Sequence, residues 1–191
     1  MSVAPRYAAP ELFRIERAAC RHFGMVAYAA HANGFTRREG RVHVWVSRRS
    51  AAKAVDPGLL DNLVGGRIPA GLSVDETLRK EAWEEAGIGP ALLADVNCLG
   101  VVRTEYSVPD GLHREVMFVH DLWLPQDFRP VNQDGEVSEI RLMPVEDVCE
   151  AILQGEFTLD AGAVTIDGLL RLGAVLPEDP QYLDLLRLMK P

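Results

Sequence analysis

The segment from Gly65 to Ile88 constrains the fold more than any other part of this 191-residue chain. The stretch Leu63–Gly66, which contains its opening glycine pair, predicts no more than a brief strand and a tight turn. A helix follows the turn, because Ser73 is a typical N-cap, Glu76 is its capping-box partner three residues on, and Gly87 marks a helix end. Since the signals at the two ends agree, this is the best-defined helix that the sequence predicts.

Three glutamates of this helix occupy positions that selection for stability alone would avoid. At about 100° per residue, Glu85 falls within the apolar stripe, Glu81 at its edge and Glu84 one step further round. Like charges at these spacings repel, and the last helical turn carries the negative end of the helix dipole. A divalent cation would compensate for them, and clustered carboxylate oxygens suit Mg²⁺ or Mn²⁺. The pattern therefore predicts a metal site, with solvated surface glutamates as the alternative.

The rest of the chain predicts strands interleaved with helices. We predict a helix at Pro10–His22 and a strand at Met25–His31 that ends in a turn at Asn33-Gly34. Arg41–Arg48 alternates valines with other residues, as in a half-buried strand. The later predicted elements are strands at Val96–Val108, His113–Leu124 and Ser138–Met143, and helices at Val145–Gln154, Gly162–Leu172 and Pro180–Met189. This order favours an α/β fold in which helices cover a mixed sheet.

Composition and charge narrow the class of protein. The hydrophobic fraction of 48% is that of an ordinary globular chain, and the length favours one domain. A net charge of -8 argues against an extended nucleic-acid surface. No apolar run is long enough to span a membrane, and the N-terminus lacks the apolar region of a signal peptide. We therefore predict a cytoplasmic protein whose partner is a small molecule, not nucleic acid or a membrane.

The cysteines and histidines predict no further metal site. Cys20, Cys98 and Cys149 are too far apart for a paired zinc site or a disulfide framework, so we interpret them as small hydrophobic residues. His113 and His120 lie seven residues apart on a predicted strand, and we interpret them as surface or half-buried histidines.

Gly66 followed by Lys80–Ile88 resembles the Nudix box, G-x5-E-x7-R-E-U-x-E-E-x-G-U with U apolar, and seven of its nine fixed positions match. The resemblance is specific because the pattern is long and lies in a turn and helix. It implies an α/β/α sandwich around a mixed sheet with a helical C-terminal extension. The expected single Nudix domain covers 1–191, with a core at about 22–155 and the extension at about 156–191. The implied activity is hydrolysis of a diphosphate with Mg²⁺, or with Mn²⁺ in its place.

The resemblance also assigns roles by position. Glu81, Glu84 and Glu85 would be the metal carboxylates, with the Gly66 carbonyl as a further ligand. Glu81 could also activate the attacking water. Glu136 lies in a loop and resembles the late glutamate that many Nudix enzymes bring over the metal as ligand or base. The candidate catalytic carboxylates are therefore Glu81, Glu85 and Glu136.

A second group of residues is predicted to bind the substrate. Arg48, Arg49 and Lys53 concentrate positive charge upstream of the glycine turn, which suits a diphosphate, with an ordinary basic strand end as the alternative. Asn62 is either a turn former or a polar contact. The predicted substrate-binding residues are Arg48, Lys53, Asn62 and Gly65.

Two positions depart from the box. Leu72 stands where the box has its first Glu, and Lys80 where it has Arg. In the family these two residues can pair and brace the helix, so Ser73 and Glu76 would brace its start here. Lys80 keeps a cation beside the glutamates without the bidentate fork of Arg. The departures bear on rate more than on metal binding, because the three distal glutamates remain.

Stretches outside the box, among them Trp45 to Lys53 and Pro57 to Asn62, resemble the Nudix domain attached to thiamine pyrophosphokinase in some fungi and its stand-alone relatives. This implies a substrate like thiamine diphosphate or its damaged analogues, cleaved to the monophosphate and phosphate. Tyr106 and Trp123 could stack on an aromatic ring, although aromatic residues in strands usually belong to the core.

Other functions fit parts of the pattern. A substrate linked through a nucleoside diphosphate fits the same box. Isopentenyl diphosphate isomerase has a similar fold but needs a catalytic cysteine, which the stretch from Pro57 to Lys80 lacks. Leu72 and Lys80 motivate a catalytically weakened module that binds a diphosphate or regulates a partner. Because Nudix relatives often dimerise, the apolar tail from Gly162 is compatible with a homodimer.

Overall fold

Alternation between extended and helical segments produces a seven-stranded sheet with helices on both faces. The computed structural model describes residues 1–189. Its strands are β1 (Ser2–Val3), β2 (Phe13–Arg14), β3 (Ala27–Arg38), β4 (Arg41–Arg49), β5 (Leu60–Asn62), β6 (Val64–Arg67), β7 (Gly100–Val108), β8 (Gly111–Trp123) and β9 (Val137–Pro144). Its helices are α1 (Val74–Ala86), α2 (Val145–Leu153), α3 (Leu159–Arg171) and α4 (Tyr182–Met189), and single 3-10 turns lie at Arg17–Ala19 and Pro90–Leu93.

The sheet is mixed, as the sequence predicts. Strands β3 and β8 run parallel through its centre, and β7 pairs with β8 as a hairpin. The first half of β3 pairs antiparallel with β6, and its second half pairs antiparallel with β4. Strands β5 and β9 both pair with β4. This pairing places β6 beside the central strand β3, and α1 packs against both strands.

The helices lie on opposite faces of the sheet and form an α/β/α sandwich. Ala30 and Ala32 of β3 point to the face that α1 covers. Ala29 and Phe35 point to the other face, which packs on α2 and α3. The alternation of a strand therefore divides the core into two layers. This arrangement confirms the predicted fold class.

Strand β4 and the β3–β4 turn differ from the prediction. Trp45 and Ser47 of β4 are buried as well as Val44 and Val46, because helices cover both faces. The Asn33-Gly34 pair lies inside β3, where Gly34 leaves room for Leu63: a Cβ would lie 2.4 Å from the Leu63 Cδ2. The turn itself is at Glu39-Gly40, where both residues have positive φ.

The predicted helix at Pro10–His22 is wrong. Phe13–Arg14 pairs instead with Ser2–Val3, and the Leu12 amide donates to the Val3 carbonyl at 2.9 Å. Leu12 and Phe13 are exposed, so the segment has no buried apolar face that would stabilise a helix.

The remaining elements lie within a few residues of their predicted positions, including the β7–β8 hairpin and helices α2, α3 and α4. The three cysteines are free; Cys20 is buried and Cys149 is half-buried, whereas Cys98 is exposed and does not pack as a core residue. Among the described residues, none of the helices has the length and apolar character needed to cross a membrane.

Candidate active site

Helix α1 begins and ends as its sequence predicts. The Glu76 amide donates to the Ser73 hydroxyl, and the Ser73 amide donates to the Glu76 carboxylate at 2.8 Å, so the capping box is complete. Gly87 ends the helix with a φ of 66°, in the left-handed region that favours glycine. Leu72, which stands where the Nudix box has its first Glu, is exposed and precedes the cap. The start of the helix is stabilised instead by the capping box of Ser73 and Glu76.

The glutamates of α1 are buried in the order that the helical periodicity predicts. Glu85 is only 9% exposed and lies in the buried stripe. The Glu81 side chain is 15% exposed and that of Glu84 is 34% exposed. The Lys80 Nζ lies between them, 3.1 Å from a Glu81 oxygen and 2.5 Å from a Glu84 oxygen. Lys80 therefore neutralises part of the cluster from its exposed side.

Glu85 is an acid in an environment that disfavours its charge. Burial raises the pKa of the Glu85 carboxyl well above its ordinary value, and the neighbouring charges of Asp61 and Glu81 raise it further. Two groups oppose this rise: the Gly65 amide, which donates to a Glu85 oxygen at 2.8 Å, and the cation of Lys53. Without a further cation, ionised Glu85 is destabilising.

The glycine pair lies inside strand β6 and not in the predicted tight turn, because Gly65 and Gly66 pair with His31 and Ala30 of β3. A Cβ on Gly66 would lie 2.4 Å from the Glu81 Cδ, and a Cβ on Gly65 would lie 2.8 Å from the His31 ring. No larger residue fits at either position without displacing these side chains. The backbone of β6 and the side chains of Glu81 and Glu85 therefore form one contacting group.

A cavity of about 370 Å³ opens beside this group. Gly65, Gly66 and His31 line it. The charged residues that share its wall are Arg17, Arg21, Arg49, Lys53, Arg67, Lys80, Asp56, Asp61, Glu81, Glu84, Glu115, Asp134, Glu136 and Asp160. The cavity thus combines a carboxylate cluster with cations on neighbouring elements, which is the composition that a metal-bound phosphate requires.

The cations of the wall are held by the loops around them. Arg49 donates to Asp61 at 2.8 Å and to the Val55 carbonyl at 2.8 Å. Lys53 forms an ion pair with Glu136. Burial lowers the pKa of Lys53, and the nearby charge of Arg49 lowers it further. Because the Ser50 amide also donates to the Glu136 carbonyl at 2.9 Å, the loop that carries Glu136 is attached at the cavity rim.

Two predicted substrate-binding residues do not line the cavity. Arg48 donates to the Gly58 carbonyl at 2.6 Å, whereas Arg49 lies in the cavity wall, because successive side chains of β4 point to opposite sides. The Asn62 amide is fully used inside the core: its Oδ1 is 2.9 Å from the His31 Nδ1, and its Nδ2 is 3.0 Å from the Thr165 hydroxyl. Lys53 and Gly65 do line the cavity.

The two aromatic residues singled out from the sequence also lie elsewhere. Tyr106 stacks on His113 with ring centroids 4.5 Å apart, and Trp123 packs against Phe35 and the guanidinium of Arg37. Neither lines the cavity.

Sequence reasoning missed a second polar group in the cavity wall. His113 and Glu115 of β8 lie close to Asp160 of α3 and to Arg67 of β6. His113 and His120 are 1% and 3% exposed, so the prediction of surface or half-buried histidines is wrong, because α3 and the neighbouring strands cover β8. The alternation of His113 and Glu115 on one face of a strand was the available signal, but only the fold brings Asp160 to them.

The residues around Glu85 fit a hard divalent cation. Glu81 lies against Gly66, Glu85 binds the Gly65 amide, and Glu84 shares Lys80 with Glu81. Carboxylate oxygens of this kind suit Mg²⁺ or Mn²⁺. The pKa of Glu85 is raised mainly because its carboxylate is buried, and a bound divalent cation would stabilise the ionised form.

Comparison with known proteins identifies the family. The NUDIX domain model matches residues 27–163, which include α1 and the sheet from β3 to β9. The chain belongs to the Nudix family.

Nudix relatives align over almost the whole chain. Nudix hydrolase 24, chloroplastic, of Arabidopsis thaliana is 46% identical over 189 residues, which is 98% of this chain and 52% of that protein. Nudix hydrolase 20, chloroplastic, of the same plant is 41% identical over 184 residues, which is 96% of this chain and 49% of that protein. The chain therefore spans about half the length of these curated relatives.

Solved structures share the Nudix fold at low sequence identity. The NUDIX domain of Shewanella oneidensis NrtR, complexed with ADP ribose, has a TM-score of 0.59 at 19% identity, covering 76% of this chain and 87% of that one. A C. elegans Ap4A hydrolase in a binary complex has a TM-score of 0.56 at 13% identity, covering 78% of this chain and 98% of that one. At these identities the likeness establishes the fold.

The relatives also correct the predicted location. Both Arabidopsis proteins are chloroplastic by name, which contradicts the prediction of a cytoplasmic protein. That prediction rested on the composition of the N-terminal residues and is wrong.

Proposed function

We propose that this Nudix domain hydrolyses a small organic diphosphate to a monophosphate and inorganic phosphate in the presence of Mg²⁺. The observation that carries the proposal is the buried Glu85, which accepts a hydrogen bond from the Gly65 amide next to a cavity that Gly65, Glu81, Arg49 and Lys53 line. A buried carboxylate that needs a cation, next to cations that can bind phosphate, is an arrangement for a metal-bound diphosphate.

In this proposal four residues hold the metal. The carboxylates of Glu81, Glu84 and Glu85 and the carbonyl of Gly66 bind Mg²⁺, with Mn²⁺ as the alternative ion. When bound, the cation supplies positive charge for the diphosphate and makes water more acidic. The Gly65 amide fixes the orientation of Glu85 through its hydrogen bond of 2.8 Å.

The remaining roles fall to side chains in the cavity wall. Arg49 and Lys53 bind phosphate oxygens, so Arg49 takes the role that the sequence assigned to Arg48. A water oxygen forms a bond to one phosphorus, the bond from that phosphorus to the bridging oxygen breaks, and phosphate leaves. Glu81 accepts the proton of the water, since it is half-buried in the wall. Glu136, which Lys53 holds at the rim, is the second candidate for this role.

For the organic group, we propose thiamine diphosphate or a damaged analogue of it as the first substrate to test. The support is the sequence resemblance outside the box, together with a cavity of about 370 Å³, within the usual range for small-molecule sites. A diphosphate linked to a nucleoside is the alternative within the same chemistry.

The experiment is phosphate release with Mg²⁺, with and without chelator. The panel contains thiamine diphosphate, oxidised thiamine diphosphates, ADP-ribose, NADH, nucleoside triphosphates and isopentenyl diphosphate. Chelator-sensitive release from the thiamine compounds supports the whole proposal. Release from nucleotides only keeps the diphosphatase and removes the thiamine substrate.

The Glu85→Gln variant is the control for the assignment of the metal site. It keeps the size of the side chain and an acceptor for the Gly65 amide but removes the charge. We expect it to lose Mg²⁺-dependent release, and near-normal release by this variant would remove the metal assignment. If the wild type binds these diphosphates but releases phosphate from none of them, the domain is a binding module instead.

A further inference from the structure

A second group of metal-ligating side chains lies in the cavity wall, on elements other than α1. The His113 Nε2 is 3.0 Å from the Asp160 Oδ2 and 3.4 Å from the Glu115 Oε2. One ligand atom from each of the three residues lies within 4.8 Å of the others. Atoms bound tetrahedrally to one Zn²⁺ at about 2.0–2.1 Å are about 3.3–3.4 Å apart, so the 3.4 Å separation from Glu115 matches this spacing and the 3.0 Å separation from Asp160 is slightly shorter.

The His113 Nε2 lies at ion-pair distance from Asp160 and Glu115, but it is not aligned for a hydrogen bond with either carboxylate. His113 is 1% exposed, and neither of its ring nitrogens has a hydrogen-bond partner among the described residues. A buried imidazole that only neutralised a carboxylate would direct its N–H at the oxygen. The His113 Nε2 and the oxygens of Asp160 and Glu115 are close together but are not aligned for hydrogen bonds. Ligands that are directed at a common metal ion have this arrangement.

Neighbouring residues hold the three side chains in place. Arg67 donates to both Glu115 oxygens, the shorter contact being 2.8 Å. The Thr104 hydroxyl donates to the Asp160 Oδ1 at 2.6 Å, which leaves the Oδ2 toward His113. Tyr106 stacks on the His113 ring. Hydrogen bonds of this kind to the ligands are typical of metal sites.

We propose that His113, Glu115 and Asp160 bind a divalent transition cation, with Zn²⁺ the best match to one imidazole and two carboxylates. Mg²⁺ prefers oxygen ligands alone, so this site is distinct in chemistry from the glutamates of α1. Three protein ligands leave a coordination position for water or for a donor atom of a molecule in the cavity, which all three residues line. The site stands independently of the proposed hydrolysis.

The experiment is metal binding to the full chain, cleared of metal by a chelator that is then removed. Zn²⁺ is titrated against a chromophoric competitor, with excess Mg²⁺ present to occupy the α1 glutamates. We expect one tight Zn²⁺ site in the wild type and in Glu85→Gln, and an affinity loss of roughly tenfold or more in His113→Gln. His43→Gln changes a histidine outside the cavity and is expected to bind like the wild type. Equal Zn²⁺ affinity in the wild type and His113→Gln overturns the proposal.

Two further measurements guard against misfolding of His113→Gln. Asp160→Asn, checked by circular dichroism, is expected to weaken Zn²⁺ by a similar factor. In the unaltered protein, Zn²⁺ is expected to shift the ring ¹⁵N resonances of His113 when Mg²⁺ does not. His113 resonances that are unchanged by Zn²⁺ overturn the proposal without any variant.

Discussion

The Glu85→Gln variant is expected to be more stable than the wild type when no metal is present. Glu85 is buried beside Asp61 and Glu81, so its ionised form destabilises the metal-free fold. We expect the melting temperature in chelator at neutral pH to rise by at least about 2 °C, because about 1 kcal/mol shifts a chain of this size by about 2–4 °C. Added Mg²⁺ should stabilise the wild type and leave the variant unchanged. Glu84→Gln, at a more exposed position, is the control.

The effect of Glu85→Gln on the melting temperature is expected to depend on pH. The pKa of Glu85 is higher in the folded protein than in the unfolded chain, so the folded state binds this proton more tightly. The stability from this group is fully present below the ordinary Glu pKa and is lost as the pH rises through the raised pKa. The difference in melting temperature between variant and wild type should therefore be small near about pH 4 and grow toward about pH 8. A difference that shrinks as the pH rises contradicts this account.

Gly66→Ala tests the close contact between β6 and α1. Its Cβ would lie 2.4 Å from the Glu81 Cδ, so the Glu81 carboxylate must move. We expect kcat to fall by about a hundredfold, because a displacement of about 1 Å at a catalytic group has this effect. Gly89→Ala is the matched control, since a Cβ there meets nothing within 4 Å. Equal activity in the two variants would mean that the position of Glu81 is not critical.

The N-terminus of α1 depends on its cap. Ser73→Ala removes the hydroxyl that accepts from the Glu76 amide, and a lost N-cap costs about 1 kcal/mol. We expect the melting temperature to fall by about 2–4 °C in thermal unfolding. Ser107→Ala, an exposed serine of β7, should change it by less. If the two variants melt together, another interaction stabilises the start of α1.

The packing of α3 on the sheet depends on a buried amide. Asn62 of β5 contacts His31 of β3 and Thr165 of α3, so it connects three elements. Asn62→Ala leaves both partners unsatisfied, and we expect a loss of about 2 kcal/mol in the free energy of unfolding, with KM unchanged. Asn97→Ala, in an exposed loop, is the control. A raised KM without a loss of stability would instead support the substrate contact predicted from the sequence.

Local signals predicted local structure well. The capping box and Gly87 placed both ends of α1, and helical periodicity ranked the burial of its glutamates. Prediction failed where a distant partner decides the conformation. Gly34 lies inside a strand because Leu63 packs against it, and Phe13–Arg14 is extended because it pairs with Ser2–Val3.

The sequence by itself determined the mixed α/β fold and the carboxylate helix, because periodicity and capping act within one segment. Only the tertiary structure decided which charges share a cavity. It placed Arg49 there and Arg48 outside, since strand pairing sets the face of each side chain. It also brought Asp160 to His113 and Glu115 of β8, because α3 packs across the sheet, and no spacing along the chain encodes that contact.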